Sequence, residues 1–146
     1  MKEYTAQHIE TRIVRDGKYS KLPRVHNGQD AYNLVKDMQN EAVEKFVALF
    51  LSTRNDVIAI SVLFSGDMTQ SVVSPRFIVK IALDINATAL IVAHNHPSGD
   101  CKPSREDRII TAQLRKACDL FDIRLLDHII IGADDFYCIG PDGEAE

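Results

Sequence analysis

The chain has 146 residues, a length that accommodates one domain around a single hydrophobic core. Its apolar share of 45% and charged share of 26% are typical of folded globular proteins and exclude collagen-like and disordered classes. The formal charge of -4 argues against nonspecific binding of nucleic acid, because such binding depends on Lys and Arg that neutralise phosphates. The three cysteines form no C-x-x-C pair, so we expect neither a disulfide framework nor a zinc ribbon.

The first ten residues, MKEYTAQHIE, contain no apolar stretch typical of a secretory signal. No segment approaches the roughly 18 apolar residues that span a bilayer. We therefore expect a cytoplasmic protein without a membrane partner. Residues 1–26 predict an N-terminal arm or edge strand, with one strand at residues 9–15, and residues 27–140 predict the folded domain. Residues 141–146 predict a frayed acidic tail.

The first half of the domain predicts two helices and a hairpin. Asn27 is a candidate N-cap, followed by apolar residues at the spacing of one helical face. The apolar runs at residues 46–51 and 57–64 predict a pair of antiparallel strands. Ser74 and Pro75 then predict the start of a second helix, because proline is favoured in the first helical turn.

The second half predicts a central strand, a third helix and two further strands. Residues 88–93 form a short apolar run that leads directly into the sequence HNHP. Ser104 predicts the start of the third helix, whose apolar face runs from Ile110 to Phe121. Residues 123–131 and 136–139 predict the last strands. The order of these elements predicts an α/β fold, a single-domain mixed β-sheet flanked by helices.

Residues 94–107, HNHPSGDCKPSRED, concentrate candidate metal ligands at the end of the predicted central strand. Side chains two residues apart on a strand share a face, so His94 and His96 can bind one ion. Asp107 follows in the first turn of the helix that Ser104 starts. Two imidazoles and one carboxylate leave a fourth position open, as in catalytic zinc sites. Ser104 and Asp107 also match a capping box that serves only the helix terminus, and the two roles are compatible.

The spacing H-x-H, seven residues, S-x-x-D resembles the JAMM motif of the JAB/MPN metalloprotease superfamily. The wider segments HNHPSGD, PS-x-x-D and LLDHIIIG resemble the RadC branch, over residues 46–131. This resemblance implies a JAB/MPN, cytidine-deaminase-like architecture. It also implies a zinc metallopeptidase or isopeptidase that acts on a peptide or a protein tag, with Zn²⁺ bound by His94, His96 and Asp107.

The superfamily also has a glutamate before the first strand of the domain, which serves as general acid and base. The segment EKFVAL resembles the RadC pattern E-x-F followed by an apolar strand, and this resemblance assigns the role to Glu44. Glu41 lies three residues earlier and is the alternative. By the same resemblance, Glu44 accepts a proton from a metal-activated water, and the Ser104 hydroxyl helps to stabilise the developing oxyanion.

Other residues in this region carry weaker expectations. Asp67 and Phe77 stand where the RadC branch usually has threonine and glutamate, and we expect these changes to affect substrate recognition rather than the metal site. His128 follows Asp127 as in the RadC pattern, which predicts either a residue that orients a ligand or an ordinary polar pair of a strand. Cys101 is interpreted as an ordinary loop cysteine outside the site.

Two other functions remain open from the sequence. A DNA-repair-associated, RadC-like role would make nucleic acid a partner. The acidic charge disfavours that role without excluding it, and we expect no helix-hairpin-helix segment here. A noncatalytic MPN interaction module is the third reading, which the complete set of motif residues disfavours. The sequence leaves the oligomeric state and the physiological substrate undefined.

Overall fold

The computed structural model describes residues 23–66 and 73–141. The predicted strand at residues 9–15, Asp67 and residues 142–146 of the acidic tail lie outside the described residues. Within these ranges the chain forms three α-helices, one 3-10 helix and five β-strands. In chain order they are α1 Gly28–Val35, the 3-10 helix Lys36–Asn40, β1 Glu44–Leu51, β2 Val57–Gly66, α2 Pro75–Asp84, β3 Ala89–Asn95, α3 Arg105–Asp119, β4 Arg124–Ile131 and β5 Phe136–Cys138.

The strands form one five-stranded mixed sheet in the order β2-β1-β3-β4-β5. Strand β3 lies in the middle and pairs antiparallel with β1 and parallel with β4. Parallel neighbours need a crossover connection, which α3 provides between β3 and β4. The predicted α/β class, the mixed sheet and the central position of the third strand are therefore confirmed.

The sheet is covered on both faces, which explains why β1 and β3 are continuous apolar runs rather than alternating ones. Successive side chains of a strand point to opposite faces. Phe46, Leu90 and Val92 pack with α2 and α3 on one face, and Val47 and Ile91 pack with α1 on the other. His94 continues the first series, so its imidazole faces α3.

Local sequence signals set where the helices begin. The Asn27 side chain accepts a hydrogen bond from the backbone N–H of Asp30 at 2.9 Å, as predicted for an N-cap. Ser74 stands at the N-cap of α2, but its side chain makes no capping bond within the described part of the chain. Phe121, expected on the buried face of the third helix, is 52% exposed, because α3 ends before it at Asp119. Among the described helices, none is long and apolar enough to cross a bilayer.

Candidate metal centre

The three predicted ligands meet where β3 ends and α3 begins. His94 is the penultimate residue of β3, His96 follows the strand, and Asp107 lies in the first turn of α3. The Nε2 atoms of the two histidines are 3.0 Å apart. His94 Nε2 lies 3.1 Å from Asp107 Oδ1, and His96 Nε2 lies 3.3 Å from Asp107 Oδ2. These atoms form a candidate metal site within the described residues.

The spacing of these donor atoms fits a small divalent cation. Zinc bonds of about 2.0 to 2.2 Å in a tetrahedral site place neighbouring donor atoms about 3.4 Å apart, close to the three separations above. The donors are imidazole nitrogen and carboxylate oxygen, which suit zinc and other first-row divalent metals. The side chains of His94 and Asp107 are 0% and 2% exposed, and that of His96 is 16% exposed. The site therefore opens to solvent beside His96, where a substrate can approach.

The tautomer of His96 leaves its Nε2 free for a metal. Its Nδ1 lies 2.8 Å from the backbone carbonyl oxygen of Asp100. A carbonyl oxygen can only accept, so Nδ1 carries the proton and donates it, and the lone pair of Nε2 points at Asp107. The loop after β3 thus supplies both the ligand and the bond that fixes its tautomer.

The metal loop, residues 96–104, passes very close to the turn that joins β4 and β5. The Ala133 N–H donates to the Gly99 carbonyl oxygen at 2.9 Å, and His96 N–H donates to the Ile131 carbonyl oxygen at 2.9 Å. A Cβ atom at Gly132 would collide with that Gly99 oxygen, so only glycine allows this approach. The turn between β4 and β5 therefore fixes the path of the metal loop.

The charges of Asp107 and Glu44 favour a positive charge between Asp107 and the two histidines. Burial alone would raise the pKa of Asp107, but the contacts with the imidazoles of His94 and His96 and the hydrogen bond from the Ser104 backbone outweigh it and hold this pKa well below its usual range. The hydrogen bond to Asp107 is the main cause that raises the pKa of His96 above its ordinary value, and Glu44 adds to it. A proton or a metal ion can supply this charge.

Ser104 forms the predicted capping box with Asp107. The Ser104 Oγ accepts from the backbone N–H of Asp107 at 3.1 Å, and Asp107 Oδ2 accepts from the backbone N–H of Ser104 at 2.7 Å. The cap uses the Ser104 hydroxyl only as an acceptor, so its proton is available to a further partner. The helix cap also orients the Asp107 carboxylate toward both histidines.

Glu44 begins β1, next to the metal site. Two residues further along β1, Phe46 pairs with His94, so Glu44 lies on the same face of the sheet, beyond the end of that pairing. Its half-buried carboxylate raises the pKa of His96, as expected for a charge close to that imidazole. Glu41 is engaged differently: its carboxylate forms an ion pair with Lys45 at 2.5 Å. The structure therefore places Glu44 on the same face of the sheet as His94, and pairs Glu41 with a lysine.

Asn95, between the two histidines, holds the backbone on both sides of Glu44. Its Oδ1 accepts from the N–H of Lys45 at 2.7 Å, and its Nδ2 donates to the carbonyl oxygen of Val43 at 3.1 Å. The side-chain amide thus continues the ladder between β1 and β3 beyond their last paired residues. The sequence contained no signal for this contact, because the partners are about 50 residues apart along the chain.

Thr111 and His128 are buried neighbours of the ligands. His128 Nε2 lies 2.8 Å from His94 Nδ1, and Thr111 Oγ1 lies 2.6 Å from His128 Nδ1. His128 was predicted either to orient a ligand or to be an ordinary polar residue, and it contacts His94 directly. Thr111 was missed, although it lies four residues after Asp107 and therefore on the same face of α3. Arg76 and Phe77 are exposed in the first turn of α2, and Cys101 is partly buried.

Comparison with known proteins identifies the family of this chain. The model of the RadC-like JAB domain family matches residues 25–143. The chain belongs to this family. The predicted resemblance to the RadC branch is thus confirmed.

Curated relatives carry the name UPF0758 protein, which states no activity. One from Actinobacillus pleuropneumoniae is 46% identical over 101 residues, which cover 69% of this chain and 46% of that protein. One from Legionella pneumophila is 46% identical over 117 residues, which cover 80% of this chain and 52% of the relative. A protein from Pseudomonas fluorescens is 47% identical over 98 residues, which cover 67% of this chain and 44% of that protein. The chain thus spans about half the length of the curated relatives that it matches.

Proposed function

We propose that this RadC-like JAB domain is a zinc-dependent hydrolase of the JAMM type, a cytoplasmic metallopeptidase or isopeptidase. The observation that carries the proposal is the convergence of His94 Nε2, His96 Nε2 and the Asp107 carboxylate at separations of 3.0 to 3.3 Å. Acceptor atoms packed this closely repel one another unless a cation lies among them. The set of two imidazoles and one carboxylate leaves a coordination position open, as hydrolytic zinc sites do.

A zinc ion held by His94, His96 and Asp107 would supply a water molecule whose pKa is lowered to about 7, and hence a nucleophile near neutral pH. Glu44, which starts β1 beside His96, accepts the proton of that water and returns it to the leaving amine. The Ser104 hydroxyl, whose proton the helix cap does not use, donates a hydrogen bond to the carbonyl oxygen as negative charge develops on it. The amide carbon gains the water oxygen and loses the amine.

The substrate class follows from the same chemistry. A water nucleophile, a proton carrier and an oxyanion donor are the groups that hydrolysis of an amide requires. We propose an extended peptide or the isopeptide linkage of a protein tag as substrate. In this proposal the scissile bond approaches from the solvent side of the site, beside the partly exposed His96 side chain.

The first test is the metal content of the purified chain. We expect elemental mass spectrometry, after dialysis against a weak chelator, to find close to one zinc per wild-type chain and much less in Asp107→Ala. The measurement also identifies the metal, since two histidines and a carboxylate bind iron in other enzymes. Little metal in both chains, with both folded by circular dichroism, would overturn the hydrolase proposal and favour a binding module.

The second test separates Glu44 from its neighbour Glu41. Hydrolysis of quenched fluorescent peptides, and of the same peptides linked through a lysine ε-amine, is compared between Glu44→Gln and Glu41→Gln. We expect Glu44→Gln to lose about 100- to 10,000-fold in kcat, the usual contribution of a general acid and base. Glu41→Gln is the matched control and keeps its activity, because Glu41 is paired with Lys45. Equal activity of the two variants would contradict the role of Glu44.

A further inference from the structure

A buried chain of hydrogen bonds links two of the three ligands through residues that do not touch the metal position. It runs from the backbone carbonyl of Asp107 to Thr111 Oγ1 at 2.7 Å, and from there to His128 Nδ1 at 2.6 Å. His128 Nε2 then lies 2.8 Å from His94 Nδ1. Thr111, His128 and His94 are fully buried. Water is therefore kept from these groups, and each must be satisfied within the chain.

The direction of this chain follows from the Asp107 carbonyl oxygen, which can only accept. The Thr111 hydroxyl has one proton, and donating it to this carbonyl is the usual bond of a helical threonine to the residue four positions earlier. If Thr111 donated to His128 instead, two oxygens without a proton between them would face each other at 2.7 Å. Thr111 Oγ1 therefore accepts, and Nδ1 of His128 is the donor.

The same reasoning passes through the two imidazoles. A neutral imidazole carries one proton, so His128 with Nδ1–H has a lone pair on Nε2 and accepts from Nδ1–H of His94. His94 is left with its lone pair on Nε2, the atom that lies 3.1 Å from Asp107 Oδ1. His128 is fully buried, and burial favours the neutral form of an imidazole over the charged one.

We infer that Thr111 and His128 are positioning residues that keep His94 in the tautomer able to bind a metal. The inference rests on the proposed zinc site and adds the two residues that set the tautomer of one of its ligands before the metal binds. Metal-bound histidines usually donate their second N–H to a carboxylate, a carbonyl or a water. In this chain the acceptor is a second histidine, whose own tautomer is set by a threonine on the helix that carries Asp107. The orientation of a β3 ligand thereby depends on α3.

Packing also holds the two rings in place. The Phe46 ring stacks on His94 with centroids 5.8 Å apart and meets the edge of His128 at 5.5 Å. With the ring orientations held in this way, the position of the protons is the main remaining variable. A variant that removes only the Thr111 hydroxyl therefore isolates the tautomer from the packing.

The decisive experiment compares Thr111→Val with wild type by two measurements. Long-range ¹⁵N NMR of the metal-free protein reports the tautomer of His94, and competition with a chelator gives the dissociation constant for zinc. We expect Nδ1–H in wild type, a shift of the proton toward Nε2 in Thr111→Val, and a zinc affinity about 10- to 100-fold weaker. Thr111→Ser keeps a hydroxyl and restores both values.

Thr88→Val is the matched control. The Thr88 hydroxyl is buried and has no hydrogen-bond partner among the described residues, so its removal deletes the same group without breaking a bond. We expect the zinc affinity and the His94 tautomer of Thr88→Val to equal those of wild type. A loss of affinity in Thr88→Val as large as in Thr111→Val would mean that destabilisation, not the tautomer, is responsible, and would overturn the inference.

A second pair of variants tests His128. His128→Gln can place an amide oxygen near the position of Nε2 and accept a hydrogen bond from Nδ1–H of His94, whereas His128→Leu cannot. We expect His128→Gln to bind zinc more tightly than His128→Leu, at least tenfold. Equal affinities of these two folded variants would contradict the inference.

The outcomes also separate this inference from the proposed function. Wild type without stoichiometric zinc overturns the metal site, and with it the inferred role. Wild type with zinc, but with His94 protonated on Nε2 before the metal is added, overturns the inference alone. If Thr111→Val leaves both the zinc affinity and the tautomer of His94 unchanged, the inference is likewise overturned and the proposed function is not.

Discussion

The two halves of the candidate site are held in different ways. The ligand half consists of His94, His96 and Asp107, whose polar atoms have hydrogen-bond partners on β4 and in the metal loop. The Glu44 half lies at the start of β1, where the backbone on both sides of Glu44 is held by the side chain of Asn95. Because the two halves are held by different contacts, we expect mutations to affect metal binding and turnover separately.

The largest effect is expected from a change to the ligand half that leaves its helix cap in place. Asp107→Asn keeps an oxygen that can accept from the Ser104 backbone but removes the carboxylate charge. We expect zinc affinity to fall more than about 100-fold, beyond the range for residues outside the ligand set, with the helix still capped. Chelator competition and thermal unfolding measure the two quantities. Retained zinc affinity would mean that Asp107 is not a ligand.

Asn95→Ala tests the other half. Removing this amide leaves the Lys45 N–H and the Val43 carbonyl without their partner, which costs about 1 to 3 kcal/mol in the free energy of unfolding. We expect kcat to fall about 10- to 100-fold because Glu44 is displaced, while zinc stays near one per chain. Asn95→Asp keeps the acceptor for Lys45 and should be intermediate. Loss of zinc together with activity would show that the two halves are not separable.

The dependence of zinc binding on pH is the smallest effect and concerns the ligand half alone. The pKa of His96 is raised, chiefly by its bond to Asp107, so this bond stabilises the metal-free fold fully below about pH 6.5 and is lost as pH rises through the raised pKa. Zinc needs the unprotonated Nε2 and displaces that proton.

Apparent zinc affinity should therefore rise about tenfold per pH unit up to the pKa of His96 and then level off. Burial holds the pKa of His128 well below its ordinary value, so this residue stays neutral throughout. Zinc titrations between about pH 6 and 8 measure the slope. A flat profile in wild type would mean that no proton is displaced from the site.

Much of the fold could be predicted because its elements carry local signals. The apolar runs of β1 and β3, the N-cap at Asn27 and the capping box at Ser104 each act over a few residues. The family and the ligand candidates were recognisable because His94, His96, Ser104 and Asp107 lie within 14 residues of one another. Phe121 was misplaced because helical periodicity does not show where a helix stops.

The contacts that support the site could not be predicted, since they join residues far apart in the sequence. Asn95 reaches the backbone beside Glu44 only because β1 and β3 pair antiparallel. His128 reaches His94 because β4 lies parallel to β3 in a register that brings these side chains together. Thr111 has the helical spacing to Asp107, but nothing in that spacing reveals a histidine on another strand.

The sequence by itself determined the identity and spacing of the candidate ligands, the strand and helix that carry them and the family to which the chain belongs, since all of these are written in short segments. Only the tertiary structure decided which nitrogen of each histidine faces Asp107 and which of the two glutamates is paired with a lysine. These depend on hydrogen bonds and ion pairs whose partners are brought together when the sheet forms and α3 packs on it. The physical reason is that a neutral imidazole has its lone pair on only one nitrogen. The hydrogen bond made by the other nitrogen decides which one that is.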